Sequence, residues 1–169
     1  MISRRTFVAS LKYEHLYGLA AELVGLKVDV LVTHGTPGSR AAKQATSTIP
    51  IVMAVVGNPD ETGLVQSIAR PGGNVTGTSF FMTELNAKRL QILKDAIPPL
   101  ARLAVLTNPD NSAHTSALTA MKDMAQRLRL KFYIVEARKR EDLKVALQSA
   151  KTRAEALVVI DDGVFIYNA

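Results

Sequence analysis

Short β-branched runs alternate with helical stripes along this chain, and the alternation sets the expected architecture. Val28, Val30, Leu31 and Val32 form a run of a few residues that stops at His34-Gly35, so it reads as a buried strand. Thr36-Pro37-Gly38-Ser39 then reads as a turn into a short helix, with Ser39 as its cap and Ala41, Ala42 and Ala45 at helical spacing. Residues 49–56 are a second buried strand. Asp60 is placed to cap a helix carrying Leu64, Val65 and Ile68, which ends at Arg70 before the turn cluster Pro71-Gly72-Gly73-Asn74; residues 75–80 are a short strand. The same grammar restarts near Thr83. A helix with Leu85, Leu90, Leu93 and Ile97 stops at Pro98-Pro99, a strand covers residues 103–106, and Ser112 is placed to cap a helix with Leu118, Met121, Ala125 and Leu128 on one face. Residues 132–135 are a strand, residues 143–150 a helix, and residues 157–160 a last strand ending at Asp161-Asp162. Strand, loop, helix, strand is the unit of a parallel sheet, so the expected class is α/β, with two βα layers joined near residues 76–82.

Ahead of these units, Leu16, Leu19, Ala20, Leu23 and Val24 recur at helical spacing over residues 15–26. A doubly wound domain usually opens with a strand, and the pattern offers none here, so the opening strand is expected to be missing. Ser3-Arg4-Arg5-Thr6-Phe7 is similar to the start of a twin-arginine export signal, but the apolar segment of about 7 to 15 residues that should follow is lacking. The resulting division is a degenerate export-signal-like segment at 1–14, a first α/β lobe at 15–80 without its opening strand, and a truncated second α/β lobe at 81–169.

At 169 residues with 47% apolar content the chain has enough material for a core, and no apolar run approaches the roughly 20 residues that span a bilayer. Absence of cysteine removes disulfide and thiol chemistry. The net charge of +6 raises nucleic-acid binding as a class. Much of that charge is Lys122, Arg127, Arg129, Lys131, Arg138, Lys139, Arg140 and Lys144, which flank one strand without interleaved aromatic residues, so a solvated basic face and no nucleic-acid partner is the expectation.

Catalytic motifs fare poorly. His34-Gly35-Thr36-Pro37-Gly38 is similar to the oxyanion loop of α/β-hydrolases, yet Gly77-Thr78-Ser79 is followed by Phe80-Phe81 instead of the glycine and helix that a nucleophile elbow requires. No dinucleotide or Walker glycine pattern is present, so no cofactor is expected. His15, His34 and His114 share no helix at i+4 and no carboxylate pattern joins them, which argues against a metal site. Asp161-Asp162 has either an acidic-cluster or a helix-capping role. What remains is a set of polar loops at strand ends: residues 36–39, 57–60, 108–112 and 161–162. Helix N-termini there would present free amides to a ligand carboxylate without any catalytic residue.

Read together, the segment from Leu19 through ARPGGNVTG at 69–77, then RLAVLTNPDNS and ALVVIDDGVF, closely resembles the substrate-binding proteins of bacterial ABC transporters. The resemblance implies a type I periplasmic-binding-protein-like fold of two Rossmann-like lobes, here a shortened copy incomplete at both ends. It implies a solute-binding component of an uptake transporter that takes a small molecule such as an amino acid in a cleft between lobes, delivers it to a permease, and performs no catalysis. By position it assigns ligand contacts to Thr36, Pro37, Gly38, Ser39, Asn58, Asn108, Asp110, Ser112 and Asp162, and a hinge to Thr76, Gly77, Thr78 and Ser79. Asn58 stands where the family usually has an aspartate, which removes a partner for a ligand amine. Family members are periplasmic, whereas the missing apolar segment would keep this chain in the cytoplasm. Exposed sheet edges left by the shortening would favour self-association. The competing readings are a cytoplasmic sensing module of the same architecture and a truncated paralogue without function.

Overall fold

The structure, a computed structural model, describes residues 5–8 and 13–166. The chain divides into two compact units, Met1–Phe80 and Phe81–Ala169. Both are parallel α/β layers, as the pattern of strands and stripes requires. Among the described residues no helix is long and apolar enough to cross a membrane.

The first unit runs β1 (Arg5–Val8), a 3-10 turn (Tyr13–His15), α1 (Leu16–Gly25), β2 (Val30–Thr33), α2 (Gly35–Ala45), β3 (Ile51–Gly57) and β4 (Val75–Phe80), with strand order β1-β2-β3-β4. The opening strand is therefore present, which corrects the expectation from the sequence. Arg5 lies opposite Val30 and Val8 opposite Thr33 in a parallel pairing. Four residues are too few to show a strand period of their own, and only the neighbouring edge of β2 defines them as a strand. Arg5, Thr6, Phe7 and Val8 thus belong to the sheet and Tyr13 and Glu14 to the 3-10 turn; residues 1–4 and 9–12 of the signal-like segment lie outside the described residues.

Consecutive strand order makes each helical crossover run the same way, and right-handed connections then put α1 and α2 on one face. Burial follows. Leu31, Thr33, Ile51 and Met53 are buried, whereas Val30, Val32, Val52 and Ala54 between them are only half-buried. The two strands expected to be buried are covered on a single face. Val28, Leu31, Ala42, Ile51, Met53, Val56, Leu64, Val65 and Val75 form the core beneath it, and Leu16, Ala20 and Ala41 join α1 to α2. Each fully buried leucine or isoleucine there contributes about 1.5–3 kcal/mol.

No helix forms after Asp60, a second correction. Residues 58–74 are turns and bends: the Pro59 carbonyl accepts from the amides of Leu64 at 2.8 Å and Val65 at 3.2 Å, and Gln66 N–H donates to the Pro71 carbonyl at 3.0 Å. Gly63, at φ 71°, turns the chain so that Leu64 and Val65 bury while Ile68 stays exposed. The Pro-Gly-Gly-Asn cluster is structural: Asn74 Nδ2 donates to the carbonyls of Thr46 at 3.1 Å and Ile49 at 2.8 Å, pinning the start of β4 to the α2–β3 connection.

Thr76, Gly77, Thr78 and Ser79 lie within β4, and the unit boundary falls just after it. Gly77 pairs with Met53 at φ 143°, and a Cβ there would run into the Met53 backbone. The register shifts between Met53 and Val56, and the Thr78 hydroxyl donates to the Ala54 carbonyl within that irregularity.

The second unit runs α3 (Met82–Ala96), β5 (Arg102–Thr107), α4 (His114–Arg127), β6 (Lys131–Glu136), α5 (Arg140–Arg153), β7 (Ala156–Val159) and a single turn, α6 (Gly163–Ile166). Strand order is β6-β5-β7, all parallel. From β5 the chain crosses to β6 on one side and returns past it to β7 on the other. Right-handed crossovers then put α4 and α5 on opposite faces. Leu103, Ala104, Val105, Leu106 and Thr107 are accordingly all buried, none above 3% exposed.

Candidate functional site

In the first unit the end of β2 is held by hydroxyls. Buried Thr33 shares a hydrogen bond of 2.8 Å with Ser39 Oγ, and Ser39 Oγ donates to the Gly35 carbonyl at 3.0 Å, so the Thr33 hydroxyl is the donor between them. Ser39 is consequently an interior residue of α2 and not its cap. His34 occupies the cap position without a side-chain bond, and Thr36, Pro37 and Gly38 lie in the first helical turn. Gly35 at φ 75° lets the strand turn directly into the helix, and proline fits a first turn because its missing amide is not needed there. Thr36 and Gly38 are buried and Pro37 half-buried.

The neighbouring strand end is tied to the same helix. Arg40 Nη2 donates to the Thr62 carbonyl at 2.9 Å and Lys43 Nζ to the Gly63 carbonyl at 2.7 Å. Asn58, buried at φ 40°, donates from Nδ2 to Glu61 Oε1 at 2.9 Å while its carbonyl accepts from the Thr62 amide at 3.1 Å.

The second unit repeats the device with different chemistry. Thr107 closes β5, and its hydroxyl lies 2.9 Å from His114 Nδ1. The Asn108 backbone amide donates to the same nitrogen at 3.1 Å. Asp162 collects three donors: Asn108 Nδ2 at 3.2 Å, Asn111 Nδ2 at 2.9 Å and the Val164 amide at 2.9 Å. His114 Nε2 is 3.3 Å from the Asp161 carbonyl and 3.6 Å from Asp162 Oδ2. Thr107, Asn108, Asn111, His114 and Asp162 are all buried. Burial pulls the His114 pKa below the ordinary imidazole value, outweighing the opposite pull of Asp162 and Asp161. Among the described residues no buried side-chain nitrogen or oxygen lacks a partner.

Asn108 Oδ1 accepts from the Asp110 amide at 3.1 Å, and Asn111 Oδ1 from the Ala113 amide at 3.2 Å. Ala113 fills the cap position of α4 and makes no side-chain cap bond, so Ser112, expected there, is displaced by one residue and lies exposed. Asp110 is exposed and sits 3.5 Å from Arg138, which also meets Glu136 at 3.6 Å; part of the basic face is thus neutralised. On the far side, Arg89 of α3 pairs with Asp161 at 2.8 Å.

The structure therefore gathers Asn108, Asp110 and Asp162 into one network, keeps Ser112 on the same loop, and holds Thr36, Pro37, Gly38 and Ser39 in the first turns of α2 with Asn58 on the adjoining strand end. Sequence reasoning gave no binding role to Thr33 or Thr107, included Asn111 only within the polar loop 108–112, and considered His114 only as a metal ligand. A signal was available: each sheet has a threonine closing a strand and a polar side chain six or seven positions on. Among the described residues no group of three potential metal ligands comes together.

Topology adds a distinction. Strand order reverses between β5 and β7, and such a switch point leaves a crevice beyond the strand ends. Residues 108–114 follow one of these strands and residues 161–162 the other. In the first sheet the described strands run in sequence without a reversal.

The ABC transporter substrate binding protein family matches residues 7–168. A tyrosine-binding protein of Clostridioides difficile is 28% identical over 148 residues, which are 88% of this chain and 42% of that protein. A conserved domain protein of Vibrio cholerae superposes with a TM-score of 0.82 at 27% identity, over 93% of this chain and 55% of that one. An ABC domain of Streptococcus pneumoniae, solved in complex with L-Trp, gives 0.84 at 20% identity over 93% and 52%, a likeness of fold. The chain spans about half the length of the relatives it matches, from 42% to 55%. With the match running from β1 to the last residues, the chain belongs to the ABC transporter substrate binding protein family.

Proposed function

We propose that this chain is the solute-binding component of an ABC-type uptake system and takes an amino acid, tyrosine being the first candidate. The family match over residues 7–168 carries the reading, and the 28% identical tyrosine-binding relative supplies the ligand class. Binding occurs at the strand-end loops without catalysis. The amides at the start of α2, those of Gly35 and Thr36 ahead of Pro37, which has none, suit a carboxylate, and charge-assisted hydrogen bonds of that kind contribute about 1.5–3 kcal/mol each. On the second unit, taken by itself, Asn108, Asp110 and Ser112 of the loop after β5 and Asp162 at the end of β7 are the candidate polar contacts, and Asn58 is one on the first unit. Handing the ligand to a permease is part of the same proposal. Calorimetric titration of the whole chain with L-tyrosine, then with the other amino acids, is the test. Saturable one-to-one binding of tyrosine is expected; no heat with any amino acid would end the reading.

A further inference from the structure

The buried imidazole in the second unit has its tautomer dictated by its neighbours. A backbone amide can only donate, so the Asn108 N–H at 3.1 Å requires a bare lone pair on His114 Nδ1. The proton of the neutral ring is therefore on Nε2, directed at the Asp161 carbonyl at 3.3 Å with Asp162 Oδ2 beyond it at 3.6 Å. One side chain thus spans the two strand ends on either side of the switch point, fastening the amide that follows β5 to the acidic pair that follows β7.

We infer that His114 is a positioning residue for the proposed ligand site, a neutral Nε2–H strut that holds the Asn108 amide and the Asp162 carboxylate in binding register and lets go of Asn108 when Nδ1 takes a proton. A protonated Nδ1 still finds an acceptor, because the Thr107 hydroxyl 2.9 Å away accepts as readily as it donates. The Asn108 amide then faces an N–H and must leave. Asn108 is also bonded through Nδ2 to Asp162, so its movement disturbs the carboxylate that also holds Asn111 and the Val164 amide of α6. The charged groups around the ring are Asp162 and Asp161 from the β7 end, with Arg89 of α3 behind Asp161 and Asp110 of the β5–α4 loop paired to Arg138. Burial of the neutral ring favours keeping it neutral; the two aspartates resist that only in part. Tyrosine is accordingly bound at neutral pH and released on acidification.

This inference rests on the tyrosine-binding reading for its ligand, and its test has an arm that does not. In the whole chain labelled with nitrogen-15, imidazole spectra followed from pH 8 to pH 4 give the tautomer and its titration, and the Asn108 amide is followed in the same samples. A single Nε2–H tautomer at neutral pH, with the Asn108 amide shifting at the midpoint of His114, is expected; an Nδ1–H tautomer, or an Asn108 amide that ignores the midpoint, overturns the inference. Calorimetric titration with L-tyrosine then compares wild type, His114→Asn and His114→Gln at pH 7.5 and pH 5. Asparagine places an acceptor near the Nδ1 position and should bind within about threefold of wild type at both pH values. Glutamine retains only the donor near the Nε2 position and should bind about tenfold more weakly, the size expected for one buried hydrogen bond. Equal binding by the two variants, or a pH dependence that persists in His114→Asn, overturns the positioning role. Should no form bind tyrosine, the functional reading fails and the spectroscopic arm alone decides the strut.

Discussion

Thr33 and Thr107 close their strands in the same manner, each buried and each bonded to a side chain on the following helix, yet what lies beyond them differs. Behind Thr33 the partners are a serine hydroxyl and a backbone carbonyl, groups that do not titrate. Behind Thr107 are an imidazole, two carboxamides and a carboxylate, all buried. The difference follows from strand order. A sheet that runs β1-β2-β3-β4 carries its helices on one face and leaves β2 and β3 half-covered, and the end of its β2 is held by bonds within six positions. A sheet that runs β6-β5-β7 buries β5 on both faces and brings the loops after two non-consecutive strands, β5 and β7, together at the reversal, where they are fastened to each other. One βαβ grammar thus gives a locally held strand end in one unit and a long-range polar lock in the other.

The most direct way to break this contrast is Asp162→Ala. It strips the acceptor from Asn108, Asn111 and Val164 at once, and removing one partner of a buried charged network costs about 3–5 kcal/mol. Urea unfolding combined with amide hydrogen exchange should show that loss in the second unit only; a change under about 1 kcal/mol would mean the lock holds nothing. Gly77→Ala attacks the first unit where its constraint lies, in the close pairing of β4 with β3. The added Cβ meets the Met53 backbone at a φ that L residues rarely adopt, so about 2–3 kcal/mol should be lost, with protection failing first at residues 52–56.

Acidification sharpens the comparison without mutation. The unfolded His114 imidazole takes its proton near pH 6.5, the folded one at a lower pH because burial disfavours the charge. Between those values the unfolded state holds the extra proton. His114's contribution is thus fully present above about pH 6.5, falls as pH drops toward the folded value, and is flat below it. The slope cannot exceed about 1.4 kcal/mol per pH unit from one group. Stability measured from pH 7.5 to pH 5 should show this component in wild type and not in His114→Asn, whereas the Thr33–Ser39 pair adds no such component. The smallest effect is expected from Ser39→Ala, which removes one hydroxyl and leaves Thr33 to reorient, for about 1 kcal/mol. A loss approaching that of Asp162→Ala would show the two strand ends to be energetically alike.

Several elements were legible because they are long or punctuated. The strand at residues 75–80 is bounded by a Pro-Gly-Gly-Asn turn and matches the expectation to the residue, and α3 begins within a residue of the expected Thr83 and ends one residue before Ile97. Misreadings concentrate where local cues compete. Leu64, Val65 and Ile68 have helical spacing, but Gly63 and the doubly bonded Pro59 carbonyl fold them into a loop whose apolar pair reaches the core. Ser39 and Ser112 have the right chemistry for caps, yet one is drawn inward by Thr33 and the other is displaced by Asn111. Asn108 and Asp162 were singled out as polar strand-end residues, with nothing to show that they bond to each other across 54 positions.

By itself the sequence determined the class of the fold, since strand and helix periods are local properties of a few neighbouring residues and appear directly in the order of apolar and polar positions. It also determined the candidate loops, because turn residues mark strand ends wherever the strands come to lie. Tertiary structure alone decided that Arg5–Val8 is a strand, since four residues become one only beside β2. It alone decided which strands are covered on one face and which on both, because coverage depends on the spatial order of strands that the chain does not spell out. And it alone made His114 a neutral strut, because its protonation is set by the Asn108 amide on one side and Asp161 and Asp162, 47 and 48 residues away, on the other.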